Sequence, residues 1–154
     1  MAQPTVIPGT KLLILIGIGG DSPSGSPDVF SEPCGLTTKN FSLSASTNTT
    51  LIPDCLDPSL PAWEAKDVNA LSAEVSGSGV MACESFHTWL DWFMGATERS
   101  ARIQLVSPTT LPLSLGYWLG SFLLTDLKYG GVRGQKVTLD ITLVNNGALT
   151  FVPA

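Results

Sequence analysis

KVTLDITL, residues 136–143, carries the clearest pattern in the chain. Val137, Leu139, Ile141 and Leu143 alternate with Lys136, Thr138, Asp140 and Thr142. A period of two with one apolar face marks a β-strand that turns its aliphatic side chains inward and its polar ones outward. Residues 117–127 form a second long strand pattern, interrupted by Gly120, and the glycines of residues 129–134 turn the chain from one into the other. Further out, residues 99–106 and 148–152 read as strands, the apolar run 11–18 as a buried strand and 30–36 as a short one. Phe41, Leu43 and Ala45 alternate with Ser42, Ser44 and Ser46, a half-buried strand. Leu71, Ala73, Val75, Gly77 and Gly79 alternate with Ser72, Glu74, Ser76 and Ser78, and glycines inside a strand signal another backbone passing close by.

One helix fits, at about residues 85–95. Ser85 can cap it, Phe86, Trp89, Leu90 and Phe93 fall at i, i+3, i+4 and i+7, and Gly95 can end it. Such an aromatic helix beside a sheet is most simply a lid on the core. The expected fold is mainly β: a β-sandwich or barrel-like single domain over residues 1–154, with one flanking helix and one long inter-strand loop. Fifteen glycines, 11 prolines and 44% apolar residues suit a globular domain with many turns.

The loop is residues 47–69, TNTTLIPDCLDPSLPAWEAKDVN. It holds Pro53, Pro58 and Pro61, the acids Asp54, Asp57, Glu64 and Asp67, and no sustained period. Connections this long inside a compact domain are uncommon and usually functional or disordered. Fixing the backbone of about twenty residues costs more than burying Leu51, Ile52, Leu56, Leu60 and Trp63 would return. The segment is therefore expected to order against a partner, with Trp63 as an aromatic anchor and the prolines limiting the entropy lost on docking.

Charge sharpens the choice of partner. The net charge of −5 disfavours a nucleic-acid binder, which needs clustered Lys and Arg. Residues 1–98 hold 11 acidic and 3 basic side chains, whereas residues 99–154 hold 2 acidic and 5 basic. Chance explains that split, or else two faces of opposite sign that meet head to tail between identical subunits. Cys34, Cys55 and Cys83 have no metal-ligand spacing, and an odd count is a poor disulfide framework, so a reducing compartment is expected. The run 12–18 is too short for a membrane span, and a weak basic start without a cleavage pattern argues against a signal peptide. The sequon Asn48-Thr49-Thr50 is discounted on the same ground.

Catalytic equipment is not apparent. Cys83, His87 and Asp91 follow at i, i+4 and i+8 on the helix, but nucleophile sets normally come from separate segments that aim each group independently. Gly17-Ile18-Gly19-Gly20 lacks the helix N-terminus that a phosphate loop needs. Asp54, Asp57, Glu64 and Asp67 have no EF-hand-like spacing, which leaves a solvated acidic loop. Neither an enzymatic activity nor a cofactor nor a metal is expected.

CGLTTKNFSLSASTNTTLIPDC (34–55), PAWEAKDVNALSAEVSGSGV (61–80), IPGTKLLILIG (7–17) and GYWLGSFLLTDLKYGGVRGQKVTLDITLVNNGAL (116–149) together cover most of the chain. They resemble the major tail tube protein of long-tailed phages with non-contractile tails, and the related subunits of gene-transfer-agent tails. Residues 107–116 are more apolar than that pattern, and residues 21–27 look like an added loop. The resemblance implies β-sandwich-like subunits with one flanking helix, in hexameric rings stacked head to tail. The tube is a conduit for DNA ejection that first encloses a tape-measure protein, with tail terminator and distal tail proteins as further partners. It implies a place in the virion tail, assembled in the bacterial host cytoplasm. DNA would transit without specific binding, and no membrane is involved.

On that basis the expected inter-subunit and inter-ring residues are Leu51, Ile52, Pro53, Asp54, Leu56, Pro61, Trp63, Glu64 and Asp67. Ser42, Ser44, Ser46, Ser72, Glu74 and Ser76 are expected in the channel wall, where short polar side chains make a wetted surface. An ordinary solvent-facing strand is the alternative for those six. For the whole chain, the alternatives are another virion role (tail terminator, distal tail or capsid decoration protein) and a β-sandwich carbohydrate-binding module.

Overall fold

The computed structural model describes residues 6–18, 29–106 and 114–153. A 3-10 turn, Gly9–Lys11, leads into β1 (Leu12–Ile18), β2 (Val29–Ser31), β3 (Leu36–Ile52) and β4 (Trp63–Val80). Helix α1 (Cys83–Gly95) follows, then β5 (Arg99–Val106), β6 (Ser114–Gly130), β7 (Thr138–Asn145) and β8 (Thr150–Val152). Neighbouring strands run in the order β2-β1-β5-β6-β7-β4-β3, and β8 pairs with the first half of β6. The chain divides into two compact units: a hairpin, Ser42–Ala73, and a body made of the remainder.

In the body the alternation reads through to the core. Ile14 and Ile16 of β1, Ala101 and Ile103 of β5, Phe122 and Leu124 of β6, Leu139, Ile141 and Leu143 of β7, and Val75 of β4 are buried. The register sets them side by side: Ile14 faces Ile103, and Val75 faces Leu143, which faces Leu124. The body sheet wraps this apolar face like half a barrel. Although β1 and β3 lie far apart in the strand order, the Lys39 ammonium on β3 donates to the Leu12 carbonyl at 3.3 Å and pairs with Glu32. The Phe41 ring on β3 lies 5.3 Å from that of Trp118 on β6.

Gly79 is where the close approach predicted for β4 is needed. A Cβ there would overlap the Gly35 carbonyl oxygen, and the Val80 amide donates to that same oxygen at 2.9 Å. Gly35 itself turns with φ +99°, which an L side chain rarely adopts.

Helix α1 closes the core with two stacked indoles. Trp89 and Trp92 are both buried, their rings 6.1 Å apart and nearly parallel, and the Trp92 Nε1–H donates to the Thr97 carbonyl at 2.9 Å. The helix ends at Gly95 as expected, but it departs from expectation at its start and in its C-cap. It starts at Cys83 after Ala82, and Ser85 is a buried residue inside it whose hydroxyl donates to the Cys34 carbonyl at 3.1 Å. That bond ties the helix to the segment before β3 in place of a cap. At the far end Gly95 is still helical, and Ala96 takes the left-handed turn with φ 51°. The buried stripe is Trp89 and Trp92, whereas Phe93 is largely exposed.

Further expectations need correction. Val137 precedes β7 and is 47% exposed, because it belongs to the segment between β6 and β7 and lies outside the strand. Strand β6 runs beyond residue 127, through to Gly130. Most important, the loop expected at 47–69 shrinks to residues 53–62, because β3 continues to Ile52 and β4 begins at Trp63. Both faces of the hairpin strands are exposed over nearly their whole length. With no buried face beneath them and no sustained period over residues 47–52 and 63–70, the outer parts of these strands read as loop. Leu43 and Ala45, expected to be half-buried, are exposed for the same reason. The possible added loop at 21–27 and most of the apolar segment 107–116 lie outside the described residues.

Candidate assembly surfaces

Two surfaces hold the predicted residues. The first is the hairpin. Its loop is built by aspartates: the Asp54 carboxylate accepts from the amides of Leu56 (2.8 Å) and Asp57 (3.3 Å), and the Asp57 carboxylate accepts from the Ser59 amide (3.1 Å) and hydroxyl. These are side-chain mimics of backbone turns. The Ser59 hydroxyl and then its amide hold the Asp57 carboxyl below the usual carboxylate range, so it stays ionised near neutrality. The Leu60 amide donates to the Asp57 carbonyl at 3.2 Å, which completes the turn.

The hydroxyls of Ser44 and Ser72 meet at 2.6 Å across the hairpin, so these residues share a face. Alternation adds Ser42 and Ser46 to it and places Leu43, Leu51, Trp63 and Leu71 on the opposite face. That opposite face is apolar yet exposed, with Trp63 at 83% and Leu71 at 77%. Leu56, in the loop, is 96% exposed, and Ile52, Pro53, Asp54, Pro61, Glu64 and Asp67 are exposed as well. Glu64 and Lys66 form a solvent-exposed ion pair at 3.8 Å. The structure thus places the expected inter-subunit residues on one element, and its exposed face adds Leu43 and Leu71. The serines that mask them in sequence are the signal: an aliphatic residue every second place beside serine.

The second surface is the polar side of the body sheet. Ser76 and Ser78 of β4 stand beside Thr142 and Asp140 of β7, which in turn face Asp126 and Lys128 of β6. With Asn40 they line an open depression of about 260 Å³. Lys128 and Asp126 pair at 3.5 Å, and both remain substantially exposed. Glu74 opens the same row of β4, level with Val144. Of this row, sequence reasoning singled out Glu74 and Ser76 as channel-wall candidates and missed Asp126 and Lys128. Their spacing of two within the apolar run of β6 marks a polar face, and the bulge between Leu124 and Asp126 shifts the phase just before them.

The other chemical candidates do not come together. Cys83, His87 and Asp91 are all exposed on α1, and no hydrogen bond joins them among the described residues; His87 makes an edge contact with the Phe86 ring. Cys34, Cys55 and Cys83 are free and exposed. Among the described residues no metal-ligating side chains gather in threes, and no helix is long and apolar enough to cross a membrane.

The family model for phage tail tube proteins matches residues 6–151. The chain belongs to that family. As a tail tube family member it is a structural, non-enzymatic protein of the virion tail. No curated protein sequence matches it. Its fold is similar to that in the tail of an empty gene transfer agent particle with C6 symmetry, at a TM-score of 0.70 and 19% identity, covering 96% of this chain and 99% of that one. It is also similar to the SPP1 tail tube subunit, at 0.65 and 10% identity over 97% of this chain and 80% of that one. A third likeness is to the tube-terminating cap of the anti-feeding prophage, at 0.63 and 16% identity over 100% and 95%.

Proposed function

We propose that residues 1–154 form one tail-tube domain whose copies close into six-membered rings and stack head to tail, making the conduit through which DNA leaves the virion. The observation that carries this reading is the hairpin's exposed apolar face. Leu51, Trp63 and Leu71 on that face, with Leu56 in the loop, are more than half exposed, apolar surface that an isolated soluble subunit rarely tolerates and a neighbouring ring would cover. The sixfold symmetry of the similar gene-transfer-agent tail supports the ring number.

The polar rows supply the channel wall in this reading. Ser42, Ser44, Ser46 and Ser72 on the hairpin, and Glu74, Ser76, Asp126 and Asp140 on the body, offer hydroxyls and carboxylates with Lys128 as a local counter-charge. Such a wall gives phosphate no counterion-release attraction, so DNA slides without being held. A tape-measure protein would occupy the channel before ejection, and terminator and distal tail proteins would close the ends. The likeness to a tube-terminating cap favours one second reading, a terminator that forms a single ring. Negative-stain images of the concentrated protein separate the two. Long filaments of stacked rings are expected; isolated rings would favour the terminator, and a monomer at all concentrations would end both readings.

A further inference from the structure

The body carries a second exposed apolar patch, at the turn between β6 and β7. Residues 131–137 read GVRGQKV, with no acidic residue. The Gln135 amide donates to the Val132 carbonyl at 3.0 Å and Gly134 takes φ +88°, so the turn has a defined shape. Val132 is 63% exposed, and Val137 and Tyr129 nearly half. Tyr129 pairs with Leu139, and Val137 precedes Leu139 by two, so both sit on one side of the sheet, where the Phe86 ring lies 6.0 Å from Tyr129. Arg133 and Lys136 are exposed, and neither has an ion pair among the described residues.

The hairpin is the opposite in charge and the same in polarity. It has four carboxylates against one lysine, beside Leu51, Leu56 and Trp63. We infer that the Trp63 end of the hairpin docks on the β6–β7 turn of a second copy of this chain. Trp63 and its aliphatic neighbours would cover Val132, Val137 and Tyr129, while Glu64 and Asp67 would meet Arg133 and Lys136. Topology supports that occupant. The chain enters the body sheet at Glu74, level with Val144, whereas Val80 and Thr138 lie at the sheet's other end, next to the turn. The point where the hairpin leaves the body sheet and the basic turn are therefore at opposite ends of that sheet, and in the proposed docking the contact runs between copies. Opposite charges set the register of such a contact, and like charges in the same places disfavour it strongly. The uneven charge along the chain then has a use: the acidic part and the basic part meet between copies.

This inference rests on the stacking reading above, and charge reversal separates the two. Glu64→Lys with Asp67→Lys leaves the loop-building Asp54 and Asp57 in place, and Arg133→Glu with Lys136→Glu leaves the glycines of the turn. Each pair is expected to raise the concentration needed for tubes by about tenfold or more, measured by sedimentation, with the monomer's melting temperature unchanged. All four changes in one chain are expected to restore tubes. Normal assembly of either pair, or no restoration by all four in a folded chain, overturns the docking while wild-type tubes leave the stacking reading intact. Failure of the wild type to form tubes ends the stacking reading itself. A second measurement does not depend on charge. In a chain with Cys34→Ser, Cys83→Ser and Gln135→Cys, bismaleimide is expected to join Cys55 of one copy to the introduced thiol of the next in assembled tubes. Absence of that product in tubes also overturns the docking.

Discussion

Gly79 and Trp63 mark the two ways in which single residues matter here. At Gly79 a methyl group would overlap the Gly35 carbonyl, which is backbone and cannot swing aside. Gly79→Ala is expected to lower stability by on the order of 1–3 kcal/mol, the cost of forcing extra atoms into a packed site; a urea midpoint indistinguishable from wild type would contradict the close approach. Trp63 is the reverse case, 83% exposed within its own subunit. Trp63→Ala is expected to melt like the wild type and to polymerise poorly, as read by sedimentation; normal tubes at normal concentration would remove it as an anchor. The buried side was legible residue by residue where alternation had a core beneath it: Leu139, Ile141 and Leu143 read inward and are inward. Val137, in the same alternation, is not, because the sheet stops at Thr138 and a pattern cannot report where its core ends. Trp92 was hidden for a different reason. The helix starts two residues before Ser85, and its buried stripe is set by indole stacking with Trp89.

At the scale of elements, the hairpin is the piece the sequence disguised. Its residues alternate, but with serine and threonine against leucine and alanine on strands exposed on both sides, so no face announces itself as buried. The exposed acids and prolines of residues 53–62 then spread the appearance of a loop into both strands. An isolated two-stranded hairpin is marginally stable in water. The amides of residues 47–69 are therefore expected to exchange quickly in the monomer and slowly in the tube, with the body strands protected in both; equal protection of the hairpin in both states would contradict ordering on assembly. The Asp57 carboxyl is held low by Ser59, so the loop bonds it accepts persist near neutrality. With a depressed folded value, their contribution is present above the unfolded carboxylate's range and lost as the pH falls through the folded one.

Across the whole molecule, two kinds of surface remain after the core is closed: apolar patches of opposite charge at the hairpin and the β6–β7 turn, and a polar sheet face with Glu74, Asp126 and Asp140. The first suits self-association and the second suits a wetted wall. If that face lines the channel, changing Glu74, Asp126 and Asp140 to Lys is expected to leave assembly intact and make the tubes retain DNA, scored by co-sedimentation at low salt; tubes that still retain none would move the face out of the channel. The most direct measurement is a cryo-EM map of tubes grown from the purified chain. Expected are stacked sixfold rings, with Trp63 buried against the adjacent ring and Ser44, Ser76 and Asp140 facing the channel. A map with Trp63 in solvent and those residues on the outside, or a chain that stays monomeric at every concentration, would contradict the assignment of the hairpin as the element that joins one ring to the next.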